Sequence, residues 1–203
     1  VIKAITEAGI RDQGIPITFY TVIEPFEFTL GSSKEMYRGW QQQMRLRHAE
    51  DGLVIKATTD YGPESPLQKI ELRIDPLTFL TEISEARSLL KNRYILGYPV
   101  PFNIVQYLAK IGNLEFGYGS GLTANQFVLP NPKAKEKYGN KDRYVNGGTL
   151  SEIARHNVLD RLGDLGLLGF PLKGVYFDFY RLRHEGSLQG FKKALNQGLF
   201  VKL

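Results

Sequence analysis

Residues Thr149 to Asp164 read TLSEIARHNVLDRLGD, and the expected fold of the C-terminal quarter of the chain follows from this stretch. Thr149 and Glu152 form a T-x-x-E capping box, which predicts a helix start because the two side chains can satisfy each other's unpaired backbone N–H groups. Ala154, Val158, Leu162 and Leu165 make an apolar stripe at helical spacing, whereas His156, Asp160 and Asp164 fall on a separate stripe with Ile153 and Leu167. These three polar residues recur at every fourth position. On a helix they place one imidazole and two carboxylates in a row, with Cβ atoms about 6 Å apart. Such a row can hold a metal ion or relay a proton. Gly166, Gly169 and Pro171 end the helix. KGVYFDFYRLR then reads as a strand leading to His184, and Ser187 to Asn196 as a last helix with Leu188, Phe191 and Leu195 on one side, stopped by Gly198.

Toward the N-terminus the apolar period changes to two. PITFYTVIEPFEFTLGS, from Pro16, is rich in β-branched and aromatic residues and is broken by Pro25, so it predicts two short strands or one bent strand. Glu35 to Arg47 is compatible with a helix by propensity, but the alternation of Met36, Arg38 and Trp40, then Met44 and Leu46, favours a strand. LVIKATTDY and QKIELRI alternate, the first entered through the turn dipeptide Asp51-Gly52. An antiparallel sheet over residues 17–74 is expected. Asp75 then reads as an N-cap with Pro76 at the first helical position, and Leu77, Leu80 and Ile83 line one face.

The order of strands, helix, insertion, strand, helix, strand, helix gives an α+β class. We expect a mostly antiparallel sheet with two main helices packed on one face and an inserted βαβ-like hydrophobic segment at about 89–121. Residues 1–14 read as the end of a preceding domain or a linker, and 15–203 as one domain. The chain opens without Met on the amphipathic phrase Val1 to Ala8, as expected of a piece of a longer polypeptide.

Composition narrows the chemistry. With no cysteine among 203 residues there is no disulfide framework, thiolate zinc site or cysteine nucleophile, so a metal must be held by His, Asp or Glu, and a cytoplasmic setting is favoured. The net charge of +5 suits an anionic partner, but the charges are spread and no aromatic-basic motif or helix-turn-helix pattern points to nucleic acid. No apolar run approaches the roughly 20 residues of a membrane span. Tyr94 to Ala109 lacks charge but contains two prolines; it suits either a core-packing loop with a short helix, Phe102 to Ile111, or the lining of an apolar groove, with at most peripheral membrane contact. The glycines Gly117, Gly119 and Gly121 lack the Lys-Ser/Thr of a phosphate loop, which favours a flexible turn over a phosphate cradle. Lys133, Lys135, Lys137, Lys141 and Arg143 are interleaved with acids and turn residues, as in a solvated loop. His48, among charges in RLRHAED, reads as a surface residue.

By itself H-x-x-x-D on a helix is a weak motif, found also as a solvated pair. The longer run RHNVLDRLGDLGLLGFPLKGVYFDFYRLRHEGSLQGFKKAL, however, resembles the C-terminal half of the UDP-3-O-acyl-N-acetylglucosamine deacetylases, the zinc amidases of lipid A biosynthesis. The spacing R-H-x-x-L-D-x-x-G-D-L-x-L-L-G, followed by a histidine before a small amphipathic helix, carries the resemblance. It extends more weakly to EISEARSLL, LTANQFVL and EAGI.

The resemblance implies the second half of a two-domain β-α-α-β sandwich that hydrolyses the N-acetyl group of a UDP-3-O-(3-hydroxyacyl)-N-acetylglucosamine. It implies that His156 and Asp160 are zinc ligands, that His184 is the general acid or oxyanion stabiliser oriented by Asp164, and that Ser88 donates to the developing oxyanion. Leu89, Tyr94, Phe102, Gly119 and Arg183 fall where substrate contacts are expected. Two departures matter. The family's third ligand and general base form a Glu-His pair in its first domain, and no Glu-His pair exists here; Asn157 and Arg183 replace a basic residue and a glycine. The alternative is a catalytically silent nucleotide-sugar-binding, lipid-binding or structural module of the same fold.

Overall fold

In the computed structural model, residues 7–9, 14–31, 40–60, 67–89, 94–95, 98–99, 115–116, 120–121, 127–128 and 151–203 are described. The chain divides into two compact units, one of residues 1–56, 71–85 and 158–203 and the other of 57–70 and 86–157.

Pro25 separates two strands, β1 (Tyr20–Val22) and β2 (Phe26–Gly31), and the alternation after Trp40 produces a third, β3 (Gln41–His48). β4 (Leu53–Thr59) and β5 (Gln68–Ile74) follow as expected. The sheet, though, is not built in chain order. Its five strands run β2-β3-β12-β4-β5, with β12 (Val175–Tyr180) lying between β3 and β4. The Asp51-Gly52 turn therefore closes no hairpin: Val175 N donates to Gly52 O at 3.0 Å and Ala49 N to Gly174 O at 2.9 Å, so the turn's backbone groups bind the entry to β12. β12 is antiparallel to β3, with Phe177 opposite Leu46 and Phe179 opposite Met44, and β2 flanks β3 on its other side, with Phe28 opposite Met44. Val175, Phe177 and Phe179 point into the core while the residues between them are half-buried, the period-two pattern of a strand with one covered face.

The last helix, α3, spans His184–Asn196 and starts three residues earlier than the pattern suggests; α1 and α2 are given below. Its buried face is Gly186, Ser187, Gly190, Phe191 and Ala194, whereas Leu188 and Leu195 are 43% exposed. The expected Leu188–Phe191–Leu195 face is thus corrected to one of small residues around Phe191. The cause is the close approach of helix to sheet: a Cβ on Gly186 would lie 2.5 Å from Gln42 Oε1, and one on Gly190 2.7 Å from Met44 Sδ and 3.0 Å from Phe28 Cδ1. Phe191 meets Phe177 edge-on at 5.5 Å. β13 (Phe200–Lys202) pairs antiparallel with β1 in a separate ribbon, beside which Phe170 contacts both Tyr20 and Phe200.

Asp75 caps the next helix as expected, its Oδ1 accepting from Thr78 N at 2.8 Å. Only α1 (Pro76–Thr78) is α-helical; Phe79–Ile83 widens into a π turn, with Ser84 N bonded to Phe79 O. The wider turn changes the spacing between Leu80 and Ile83; Ile83 is buried while Leu77 and Leu80 face outward, which corrects the expected apolar face. α2 (Glu152–Gly166) starts at Glu152; Thr149, its expected capping partner, lies outside the described residues. Ala154, Val158 and Leu165 on its apolar stripe are buried.

In the second unit β6 (Ser88–Leu89) pairs parallel with β11 (Phe127–Val128), β7 (Tyr94–Ile95) antiparallel with β8 (Tyr98–Pro99), and β9 (Glu115–Phe116) antiparallel with β10 (Ser120–Gly121). The expected helix Phe102 to Ile111, Gly117, Gly119 and the lysine-rich loop lie outside the described residues. Among the described residues no helix is long and apolar enough to cross a membrane.

Two outcomes follow from this packing. Gly190→Ala inserts a methyl group against Met44 and Phe28 and should destabilise the chain by about 1–3 kcal/mol in urea unfolding. The Thr78 N–H holds the Asp75 carboxyl below the usual carboxylate range. A carboxyl depressed in the folded state contributes stability above its unfolded pKa, and that contribution is lost as the pH falls through the folded value. The stability gap between wild type and Asp75→Ala should therefore be largest near neutrality and close on acidification, read as two converging Tm curves.

Candidate active site

In the first unit the site is built where α2 and α3 meet. Asp164, on the last turn of α2, is buried, and His184, the first residue of α3, keeps 61% of its side chain exposed. Nδ1 of His184 lies 2.7 Å from Asp164 Oδ1. Since a carboxylate oxygen only accepts, Nδ1 carries the proton of this bond and Nε2 is the nitrogen turned away from it. Nε2 lies 3.8 Å from Asp160 Oδ2. The ring thus stands between two carboxylates, one bonded to it and one close by. Arg161, buried beneath, brings its Nε within 2.9 Å of Asp164 Oδ2, and Ser187 Oγ donates to the same oxygen. The backbone entering α3 is fixed as well: Arg183 N donates to Gln42 Oε1 at 2.8 Å, and Arg161 Nη1 to Leu182 O at 2.5 Å.

The second unit holds His156, whose Nδ1 lies 2.9 Å from Ala86 O. The carbonyl only accepts, so Nδ1 carries a proton; in the neutral ring that leaves the lone pair on Nε2, the form in which histidine binds a metal. Residue 87 is held in turn. Glu152 accepts from Arg87 N at 3.1 Å and Arg87 Nε at 2.7 Å through Oε1, and from Arg87 Nη2 at 3.2 Å through Oε2, a bidentate pair with little water access. Asn157 Nδ2 bonds Ile153 O within its own helix.

The residues expected from the sequence divide accordingly. His184, Asp164 and Asp160 come together in the first unit, with Arg183 half-buried at the helix entry; His156 lies in the second unit, one helical turn before Asp160 on α2. Ser88, Leu89 and Tyr94 are placed by backbone only, in β6 and β7, while Phe102 and Gly119 lie outside the described residues. His48 is exposed, as expected. Among the described residues no group of three His, Asp or Glu side chains is arranged to hold a metal ion. Arg161, Ser187, Gln42 and Glu152 were not expected to take part. Arg161 and Ser187 sit within the quoted motif and its sequel, but their burial depends on how α2 meets α3, which no local pattern encodes.

A separate apolar cavity of about 630 Å³ lies in the first unit, lined by Phe19, Ile74, Phe79, Leu162 and Phe170 with Lys173 on its wall. Arg183, the expected substrate contact whose side chain is described, does not line it.

No protein-family model matches the chain. Curated proteins do. Over an alignment of 204 positions that takes in 98% of this chain, it is 27% identical to UDP-3-O-acyl-N-acetylglucosamine deacetylase of Thermodesulfovibrio yellowstonii, covering 57% of that protein. The enzymes of the same name from Anaeromyxobacter sp. and Brucella ovis are 30% and 25% identical over 84% and 96% of this chain, which covers 46% and 58% of them. The chain is thus similar along most of its length to proteins named UDP-3-O-acyl-N-acetylglucosamine deacetylase. It spans about half the length of these relatives, a coverage consistent with their C-terminal domain.

The Arg87–Glu152 pair gives a direct test of how residues 86–87 are held beside His156. Removing one partner of a buried pair leaves the other charge uncompensated, at a cost of about 3–5 kcal/mol. Glu152→Leu should show that loss in urea unfolding, and the double variant Arg87→Met/Glu152→Leu should recover a large part of it.

Proposed function

We propose that this chain is the C-terminal half of a zinc-dependent cytoplasmic deacetylase, the second half of a β-α-α-β sandwich, that acts on UDP-3-O-(3-hydroxyacyl)-N-acetylglucosamine in lipid A biosynthesis. The observation that carries the reading is the 2.7 Å hydrogen bond between His184 and Asp164 in a chain similar to these deacetylases, with a second carboxylate, Asp160, beside the same ring.

His156 and Asp160 fit a zinc centre by donor type, and the Ala86 carbonyl on His156 Nδ1 is the kind of outer partner that orients a metal-binding imidazole. They are two ligands where a catalytic zinc usually has three from the protein. The reading therefore assigns the third ligand and the general base to a preceding domain. Zinc, when bound, supplies a Lewis acid for the acetamide carbonyl and lowers the pKa of its water to about 7.

Hydrolysis transfers the water oxygen to the acetyl carbon and breaks the C–N bond, so acetate forms and the sugar nitrogen must gain a proton. His184, held at Nδ1 by Asp164, presents Nε2 outward; in the protonated ring this nitrogen carries the proton that the leaving amine takes. Ser88, in β6, is the proposed donor to the carbonyl oxygen as negative charge builds there. Leu89, Tyr94, Phe102, Gly119 and Arg183 are the proposed substrate contacts.

The test is acetate release from the UDP-sugar by the full-length protein, with metal analysis of the purified material. His156→Ala and Asp160→Ala should lose zinc and activity together, whereas His184→Ala should retain zinc and lose roughly 10²–10⁴-fold in kcat. A full-length protein that contains no zinc as isolated, and gains no activity when zinc is added, would mark a silent binding module instead.

A further inference from the structure

Arg161 is the largest fully buried side chain among the described residues, 1% exposed. A guanidinium out of water is costly unless its charge and its N–H groups are matched. Its position is one that the R-H-x-x-L-D-x-x-G-D pattern leaves open, so the resemblance gives it no role. The structure gives it several contacts. Nε lies 2.9 Å from Asp164 Oδ2, an ion pair that matches the charge without the alignment of a hydrogen bond, Nη1 donates to Leu182 O, and Nη2 lies 3.1 Å from His184 Nδ1. The last of these is not a hydrogen bond. Nδ1 already gives its proton to Asp164 Oδ1 at the shorter distance, and a guanidinium has no lone pair to receive another, so Nη2 stands beside the ring edge without a bond to it, and Asp164 decides the tautomer.

Ser187, one turn into α3, adds a second restraint. Its hydroxyl has a single proton, which goes to Asp164 Oδ2, the oxygen that Arg161 also approaches. The terminal torsion of an aspartate is broad, so a carboxylate held at one point can swivel and exchange its oxygens. Asp164 is held at more than one. With Oδ2 taken by a cation and a hydroxyl, Oδ1 is the oxygen presented to the imidazole.

We infer that Arg161 and Ser187 are positioning residues for His184: they hold Asp164 Oδ2 so that Oδ1 locks the ring in its Nδ1–H tautomer with Nε2 outward. Arg161 also restrains the approach to the ring by tying Leu182 O, two residues before it, to α2. The inference rests on the deacetylase reading only where it takes His184 as the acid; the ring geometry stands without it.

The experiment is side-chain ¹⁵N NMR of the full chain at a pH where the imidazoles are neutral. The chain has three histidines, so exposed His48 and carbonyl-bound His156 serve as internal references. Wild type should show His184 as a single Nδ1–H tautomer. Arg161→Lys, which keeps the charge but not the fork, and Ser187→Ala should each convert His184 to a mixture of tautomers while the other two histidines keep their shifts. A wild-type pattern at His184 in both folded variants overturns the inference. If Arg161→Lys fails to fold, Ser187→Ala decides alone; if neither folds, the two residues are structural and the inference is wrong. The readout uses neither metal nor substrate, so a wild-type tautomer pattern sinks the inference even where the full-length protein releases acetate. Loss of the single tautomer supports it even where acetate is not released.

Discussion

The buried pairing of Arg161 with Asp164 is the constraint on which the first unit's site depends. A carboxylate withdrawn from water needs compensation on both oxygens, and Asp164 finds it in three groups: Arg161 from its own helix, and His184 and Ser187 from α3. Because those partners come from two helices, α2 and α3 are held by charge at their junction as well as by apolar contact elsewhere. The arrangement also explains why α3 begins at His184. Ser187 N bonds Arg183 O, and Arg183 N bonds Gln42 of β3, so the first turn is anchored to the sheet at the point where the imidazole leaves the backbone.

The second unit solves a related problem differently. His156 is oriented by a main-chain carbonyl, and the segment carrying that carbonyl is pinned by the Glu152 carboxylate, which receives both the backbone N–H and the guanidinium of Arg87. One helix, α2, therefore carries two histidine-linked environments. At its start a carboxylate organises a neighbouring strand entry, and at its end a carboxylate organises an imidazole directly.

Much of this could be read from residue order, and the failures have physical causes. The strands at Gln41, Leu53 and Gln68 followed from period-two alternation and the one at Phe26 from β-branched and aromatic residues after Pro25, and Asp75 followed from the short reach of an aspartate to an N–H three residues on. The row His156, Asp160, Asp164 lies on a helix, as its spacing required, but the residues that give the row its environment were invisible. Arg161 carried no expectation because its burial depends on Leu182 and Asp164 being brought to it. The last helix misled for a simpler reason. Leu188 and Leu195 are more hydrophobic than Gly186 and Gly190, and hydropathy ranks side chains, whereas a helix pressed against Met44 and Phe28 selects for their absence. At Pro76–Ile83 straight α-helical counting failed as well: the turn widens from Phe79, and of Leu77, Leu80 and Ile83 only Ile83 is buried.

The position of β12 has a consequence for how the chain acquires its structure. β3 and β4 are neighbours in sequence, but the slot between them is filled by a strand more than a hundred residues later. A ribosome that has released β3 and β4 has therefore produced strands that lack their intended partner, and the sheet is incomplete until Tyr180 emerges. Pairings over such separations carry a loop-closure penalty and form late, so exposed strand edges persist during synthesis. The polar and charged residues Gln41, Gln43, Arg45 and Arg47, which alternate with the buried positions of β3, suit a strand that must stay soluble while it waits.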